Sequence, residues 1–160
     1  MTDFGRILED LNGAGVRYVL IGGIALIRHG VVRATRDIDA VFDPDSDNVD
    51  RISSLVDQWG ASRPDGSPIP EGGIAGDRTI HLSTPHGELD LLSEVAAGLA
   101  FSDLLTRSEV RRVDGVEAPI CSLADLVAMK RLAGRERDLV DLADLESAHG
   151  DLPDSRDPSA

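Results

Sequence analysis

The chain has 160 residues, of which 41% are hydrophobic and 28% are charged, a composition that fits one globular domain and excludes a disordered or membrane-embedded protein. Its formal net charge of −13 argues against a general nucleic-acid binder, because non-specific affinity for nucleic acids comes from basic groups that neutralise phosphates. No apolar run approaches the ~20 residues of a membrane span and the first residues carry no signal pattern, so we expect a cytoplasmic protein without membrane contact.

The first predicted element is an amphipathic helix near the N-terminus. Phe4, Ile7, Leu8 and Leu11 recur at helical spacing, and the Asn-Gly pair that follows ends the pattern. We expect this helix to cover one face of a sheet whose first strand begins a few residues later.

A buried strand, a glycine turn and a short helix come next. The apolar run Tyr18–Ile21 predicts the strand, Gly22 and Gly23 form the turn, and residues 24–29 form the helix. Backbone N–H groups at a helix N-terminus favour an anion, and two residues without Cβ let it approach closely. The sequence therefore predicts a phosphate-binding turn.

Two aspartates lie on the next predicted strand, Asp37–Phe42. Side chains two residues apart on a strand share a face, so Asp37 and Asp39 point the same way, about 7 Å apart at Cα, while Ile38 enters the core. Paired carboxylates beside a phosphate-binding turn indicate a site for a hard cation such as Mg²⁺, with substrate phosphates completing its coordination.

The middle of the chain is predicted to contain a helix, a long loop and a hairpin. The helix covers residues 49–56 and ends near Gly60, and the loop over residues 62–76 is rich in glycine and proline. Loops of this length are usually functional or mobile, so a lid over the site and a plain mobile loop are the two alternatives. The hairpin has strands at 79–83 and 88–92.

The second strand of this hairpin supplies a third acid. Glu88 and Asp90 share one face of the strand, while Leu89 and Leu91 share the other. Either carboxylate could complete a metal site or draw the proton from an attacking hydroxyl group. The alternative is that both lie on the solvated outer face of an edge strand.

The C-terminal third is predicted to contain a second hairpin and two helices. An Asp-Gly turn at residues 114–115 joins the hairpin strands, and Pro119 either places the second of them at a sheet edge or ends it early. A helix capped by Ser122 runs to about residue 133, and the last helix covers residues 136–149.

Spacing also assigns core and surface positions here. The residues expected to face the core are Phe101, Leu104, Leu105, Cys121, Leu123, Leu126, Val127, Leu132, Leu139, Leu142 and Leu145. The last residues are polar and include proline, so we expect a single domain over residues 1–149 and a disordered tail over 150–160. His29 and His86 are expected to be structural or surface residues, because the predicted metal prefers oxygen ligands.

The order of these motifs resembles a known family. The motifs are Gly22-Gly23, Arg33-x-Thr35-x-Asp37-x-Asp39, Asp90 in Gly-Glu-Leu-Asp, and Lys130 followed by Arg135, Asp138 and Asp141. Together they are similar to the signature of the nucleotidyltransferase (DNA polymerase β-like) superfamily, in particular its AbiEii-type toxin and abortive-infection branch. The resemblance spans roughly residues 15–147.

The resemblance implies a fold and an activity. The implied fold is an α/β (α+β) domain with a small mixed, partly antiparallel sheet flanked by helices, ending in C-terminal helices. The implied activity is metal-dependent transfer of a nucleoside monophosphate from an NTP such as ATP to an acceptor hydroxyl, with two Mg²⁺ ions expected and Mn²⁺ as the alternative.

The resemblance also implies roles for individual residues. The expected catalytic and metal-binding residues are Asp37, Asp39 and Asp90. The expected nucleotide-binding residues are Gly22, Gly23, Arg33, Thr35 and Lys130. Many superfamily members have Ser after the first Gly, whereas Gly23 has no hydroxyl, so that phosphate contact is expected from the backbone or from Thr35. Asp138 and Asp141 either act at the site or pair with Arg135 and Arg131 on a solvated face.

The acceptor is left open by these residues. RNA such as tRNA, a protein and a small molecule are the candidates, and the charge of −13 favours a cationic acceptor over RNA. In the toxin branch an antitoxin partner is expected. Two further alternatives are an antibiotic nucleotidyltransferase and a catalytically silent nucleotide-binding or toxin–antitoxin partner protein.

Overall fold

The computed structural model describes residues 1–76, 78–95 and 98–154. Within these ranges the chain forms seven helices and six strands around one hydrophobic core. In chain order the elements are α1 (Phe4–Gly13), β1 (Tyr18–Ile21), α2 (Gly22–Arg28), β2 (Asp37–Phe42), α3 (Ser46–Trp59), α4 (Gly73–Gly76), β3 (Thr79–Thr84), β4 (Gly87–Leu92), α5 (Phe101–Arg107), β5 (Glu109–Val113), β6 (Val116–Ile120), α6 (Leu123–Ala133) and α7 (Glu136–His149).

The six strands form one mixed sheet in the order β3-β4-β2-β1-β6-β5. The pairs β1–β2, β3–β4 and β5–β6 are antiparallel, whereas β4 runs parallel to β2 and β6 runs parallel to β1. Helices flank this sheet, and α6 and α7 end the fold. The predicted α/β class with a partly antiparallel sheet is confirmed.

The elements around the sheet centre follow the hydrophobic pattern. All four residues of β1 are buried, as expected for an apolar strand in the interior of a sheet. In α1, Ile7, Leu8 and Leu11 are at most 1% exposed. The carboxylate of Asp3 accepts a hydrogen bond from the N–H of Arg6 and caps this helix. β1 pairs with β2, which lies between β1 and β4 in the interior of the sheet.

The predicted position of Pro119 is wrong. This residue does not lie on an edge strand, because β6 lies between β1 and β5, and it does not end the strand early, because β6 continues to Ile120. β6 pairs with β1 only at its last residue, Ile120, which lies opposite Leu20. Since most of that side of β6 carries no backbone ladder, a residue without an N–H group is tolerated there.

Three leucines assigned to the core are exposed instead: Leu105 (42%), Leu132 (59%) and Leu139 (58%). Helix α5 has two turns and buries only Phe101 and Leu104. The end of α6 and the start of α7 project into solvent, since residues 131–137 are all exposed. Helical spacing finds the buried face of each helix but does not reveal how far along the helix the core extends.

The C-terminal end of the described chain remains in contact with the domain. Leu152 packs against the core, and Nη1 of Arg131 donates a 3.0 Å hydrogen bond to the carbonyl of Pro153. Residues 155–160, most of the tail predicted to be disordered, lie outside the described residues. Among the described residues, no helix has the length and apolar character needed to cross a bilayer.

Candidate active site

Three aspartates meet on one face of the sheet. One carboxylate oxygen from each of Asp37, Asp39 and Asp90 lies within 4.8 Å of the other two. β2 and β4 are adjacent parallel strands, and Asp39 lies directly opposite Asp90. The fold therefore brings together acids that are about fifty residues apart in the chain.

Alternation along the two strands aims these carboxylates away from the core. Ile38 of β2 is completely buried, as are Leu89 and Leu91 of β4. Because successive side chains on a strand point to opposite faces, the aspartates between these residues emerge on the other face. Apolar burial on one face thus orients the acids on the other.

Glu88, the alternative third acid, is not part of the cluster. It lies opposite Asp37, but its Oε1 accepts a 2.9 Å hydrogen bond from the hydroxyl of Ser83 on the neighbouring strand. The three-carboxylate group found among the described residues contains Asp90 and not Glu88.

The carboxylates open into a cleft of about 520 Å³. The glycine turn, Gly22 and Gly23, lines one side, and the cationic side chains of Lys130, Arg135 and Arg137 line another. No residue of the loop 62–76 lines this cleft, so the loop does not act as a lid in this conformation.

The protonation equilibrium of Asp39 is perturbed by its surroundings. Burial raises its pKa to about 6, and the negative charges of Asp37 and Asp90 act in the same direction. A hydrogen bond from the backbone N–H of Gly23 and the charge of Lys130 oppose this shift without cancelling it. The ionised cluster is therefore short of positive charge, and a cation among the carboxylates would stabilise it.

Gly22 packs directly against Asp39. Its φ is +64°, a left-handed conformation that favours glycine. A Cβ at this position would lie 2.1 Å from Oδ2 and 2.9 Å from Cβ of Asp39. The glycine turn and the acid cluster are thus in contact, and only a residue without a side chain fits between them.

Gly23 packs in the same way against Thr35. An added Cβ at Gly23 would lie 2.6 Å from the hydroxyl oxygen of Thr35. Oγ1 of Thr35 also lies 3.2 Å from the carbonyl oxygen and 3.3 Å from Oδ1 of Asp37. Thr35 therefore presents its hydroxyl where a side chain at position 23 would stand.

Lys130 is held in an ion-pair network built on two buried aspartates. Its Nζ donates to Oδ1 of Asp138 at 3.1 Å and to Oδ2 of Asp141 at 2.6 Å. Nη1 of Arg33 donates to Oδ1 of Asp141 at 2.6 Å, and Nε of Arg135 donates to Oδ2 of Asp138 at 2.7 Å. Two carboxylates therefore share three cations, which leaves a net positive wall facing the acid cluster.

The two aspartates of this network are buried. Asp138 is 0% and Asp141 is 4% exposed, so the alternative of a solvated helix face is wrong. Burial alone would raise the pKa of Asp138, but hydrogen bonds from Arg135 and Lys130 outweigh it and lower the pKa to about 2. Arg131 does not join the network, because it donates to the carbonyl of Pro153 instead.

Over residues 6–157 the sequence matches the family described as the nucleotidyl transferase AbiEii toxin of a type IV toxin–antitoxin system. The chain belongs to the AbiEii nucleotidyltransferase family. No curated protein matches the sequence.

Solved structures share the fold of this AbiEii family member. The lincosamide antibiotic adenylyltransferase LnuA, bound to lincomycin, is 17% identical with a TM-score of 0.62, and the match covers 90% of this chain and 94% of LnuA. A structure from Thermotoga maritima assigned to the nucleotidyltransferases is 16% identical (TM-score 0.59; 89% and 93% covered). ANT(2″)-Ia in complex with adenylyl-2″-tobramycin is 13% identical (TM-score 0.59; 91% and 87% covered).

One polar residue of the AbiEii-type cleft, His81, was not predicted from the sequence. His81 of β3 lines the cleft, and its Nδ1 lies 2.7 Å from Oδ1 of Asp90. The predicted hairpin register, continued from its turn, would have placed His81 opposite Asp90. Arg137 also lines the cleft, and it belongs to a basic cluster that the sequence shows, Lys130, Arg131, Arg135 and Arg137.

The two histidines considered from sequence lie elsewhere. Nε2 of His29 lies 2.8 Å from the carbonyl of Cys121, and His86 lies 3.8 Å from Asp10. Cys121 itself occupies the core, as expected from the sequence: it is completely buried, and burial raises the pKa of its thiol to about 12. In the described part of the chain, the cluster of possible metal ligands consists of Asp37, Asp39 and Asp90, and neither histidine is part of it.

Proposed function

We propose that this AbiEii-type protein catalyses Mg²⁺-dependent transfer of a nucleoside monophosphate from an NTP to an acceptor hydroxyl. The observation that supports it is the convergence of Asp37, Asp39 and Asp90, with ligand oxygens within 4.8 Å of one another. An all-oxygen donor set fits a hard cation such as Mg²⁺, with Mn²⁺ as a substitute. The raised pKa of Asp39 supports this fit, because a cation supplies the missing positive charge.

The roles of the three acids follow from this fit. Asp37 and Asp39 would hold the metal, which when bound neutralises charge on the phosphates and polarises the reacting phosphoryl group. Asp90 would complete the metal site or accept the proton of the acceptor hydroxyl. The acceptor oxygen forms a bond to the α-phosphorus, the bond to the bridging oxygen breaks, and pyrophosphate leaves. Such chemistry depends mainly on positioning and charge stabilisation.

The NTP would bind between the glycine turn and the cationic wall. Gly22 and Gly23 offer backbone N–H groups and no side chains, and Thr35 offers a hydroxyl beside them. Lys130 and Arg33 would neutralise triphosphate charge from the opposite wall. Because both cations are held by buried aspartates, they are already oriented before the nucleotide arrives, which lowers the ordering cost of binding.

The acceptor is the less determined half of the reaction. The family description as a toxin supports a macromolecular acceptor such as tRNA or a protein, together with an antitoxin that restrains the activity. A cationic small molecule is the second candidate. The net charge of −13 supports it by simple attraction, and a fold shared over 94% of an antibiotic adenylyltransferase is compatible with it.

Label transfer tests the reaction and separates the acceptors. The protein is incubated with Mg²⁺ and each α-labelled NTP, with bulk tRNA, mixed protein or an aminoglycoside as acceptor. Asp37→Asn and Asp90→Asn should abolish transfer, while Asp50→Asn, which removes an exposed carboxylate on α3, should leave it unchanged. Transfer with one acceptor class identifies it.

A catalytically silent binder gives a different result. It would bind the NTP but transfer no label to any acceptor, with or without Mg²⁺. Binding of Mn²⁺ to the protein, measured directly, distinguishes this case from loss of the metal site. If Asp37→Asn binds Mn²⁺ as tightly as the unmodified protein, the acid cluster is not the metal site and the proposal is refuted.

A further inference from the structure

His81, Asp90 and Asp39 form a row across three adjacent strands. In β3–β4 pairing His81 lies opposite Asp90, and in β4–β2 pairing Asp90 lies opposite Asp39. Directly paired residues point to the same face of a sheet, so the imidazole stands next to the acid cluster. Its Nδ1 is 2.7 Å from Oδ1 of Asp90.

We propose that His81 is a positioning residue for the reaction. It donates a hydrogen bond that fixes the carboxylate of Asp90 in the orientation needed at the metal and the acceptor hydroxyl. This inference rests on the proposed role of the three acids, and it extends the site by a residue on a third strand.

The chemistry of the two groups determines the direction of this hydrogen bond. An ionised carboxylate can only accept hydrogen bonds, so Nδ1 of His81 carries the proton. The bond occupies one lone pair of Oδ1 and fixes the plane of the Asp90 carboxylate. The other lone pairs of the Asp90 carboxylate then point in fixed directions, in which they can bind a cation or accept a hydroxyl proton.

Each acid of the cluster has one such donor. The hydroxyl of Thr35 lies 3.3 Å from Oδ1 of Asp37, the backbone N–H of Gly23 donates to Asp39, and His81 donates to Asp90. Three carboxylates that repel one another would otherwise rotate apart.

The exposure of the His81 side chain argues that it positions Asp90 and does not stabilise the fold. The side chain of His81 is 59% exposed and lies on β3, an edge strand of the sheet. Exposed pairs of this kind contribute little to folding stability. Removing the imidazole should therefore leave the fold intact while it releases the Asp90 carboxylate.

Three substitutions distinguish the hydrogen bond from the ring itself. His81→Ala removes the donor, and His81→Gln places an amide nitrogen at the position of Nε2. His81→Asn places its amide nitrogen at the position of Nδ1, where it can still donate to Asp90. The measurements are Mn²⁺ affinity, kcat and KM for nucleotidyl transfer, and thermal unfolding.

The expected pattern is specific to positioning. His81→Ala and His81→Gln should weaken Mn²⁺ binding or kcat by about 10- to 100-fold, with little change in KM for the NTP and in the unfolding midpoint. His81→Asn should recover most of that loss. His86→Ala, on the turn of the same hairpin, serves as the matched control and should leave all measurements unchanged.

Two outcomes would overturn this role. Equal loss in His81→Asn and His81→Ala would mean that the ring acts in another way, and no loss in His81→Ala would mean that Asp90 needs no partner. Failure of the unmodified protein to bind Mn²⁺ or transfer label would instead refute the proposed function. The two failures are therefore distinguishable.

Discussion

Gly22→Ala is the substitution whose effect the geometry predicts most directly. The new Cβ would lie 2.1 Å from Oδ2 and 2.9 Å from Cβ of Asp39. Rotation of the carboxylate can relieve the first contact but not the second, because Cβ moves only with the backbone. Either Asp39 or the glycine turn has to shift, and the acid cluster is displaced in both cases.

The energetic effect has two parts. A non-glycine residue at a φ of +64° costs about 1–2 kcal/mol, and overpacking against Asp39 adds about 1–3 kcal/mol. We therefore expect Gly22→Ala to lower the free energy of unfolding by about 2–5 kcal/mol. A displacement near 1 Å at a reacting group lowers activity by about 100-fold, so nucleotidyl transfer should fall at least that far.

Gly60→Ala is the matched control. Gly60 ends α3 with a φ of +60° and has no atom within 4 Å of an added Cβ, so the substitution carries the backbone cost alone. Urea unfolding should show a loss of about 1–2 kcal/mol, with unchanged Mn²⁺ affinity and activity. If Gly22→Ala binds Mn²⁺ as tightly as Gly60→Ala does, the contact between Gly22 and Asp39 does not shape the metal site.

Three further results are expected. Gly23→Ala should reduce NTP affinity through its clash with Thr35, measured by calorimetry; unchanged affinity would contradict it. Asp138→Asn should lower the free energy of unfolding by about 1–3 kcal/mol in urea unfolding, because it removes the charge-assisted hydrogen bonds of a buried carboxylate while Asp141 still pairs with Lys130; no measurable loss would contradict it. Because Asp39 binds a proton below its raised pKa of about 6, Mn²⁺ affinity should fall about tenfold per pH unit below that value; a flat profile would contradict it.

The raised pKa of Asp39 also makes the stability of the metal-free protein depend on pH. Burial raises the pKa of Asp39 from 3.8 to about 6, so between these pH values the folded state holds a proton that the unfolded state has lost. The contribution of this group to the free energy of unfolding therefore falls as pH rises from about 4 to about 6. The lowered pKa of Asp138 acts oppositely, since its stabilisation is complete above its ordinary value of 3.8 and is lost as pH falls toward about 2.

Local pattern was sufficient for most of the elements. The helical spacing in α1, the apolar run of β1 and the alternation in β2 and β4 each predicted an element that the structure contains. These signals are local, since each depends on the period of one helix or strand. Positions such as Leu132 and Pro119 were misjudged because exposure and strand order depend on neighbours that are distant in the chain.

The chemical groups of the site can be recognised in the amino-acid sequence: two glycines precede a helix, and acids alternate with apolar residues on two strands. Which of these groups meet depends on contacts between segments that are distant in the chain. The register between β2 and β4 selects Asp90 over Glu88, and the register of β3 adds His81. The packing of α7 places the buried Asp138 beside Lys130 and orients its ammonium group. Registers and helix contacts are set by the burial of the whole core, so no single segment of sequence contains them.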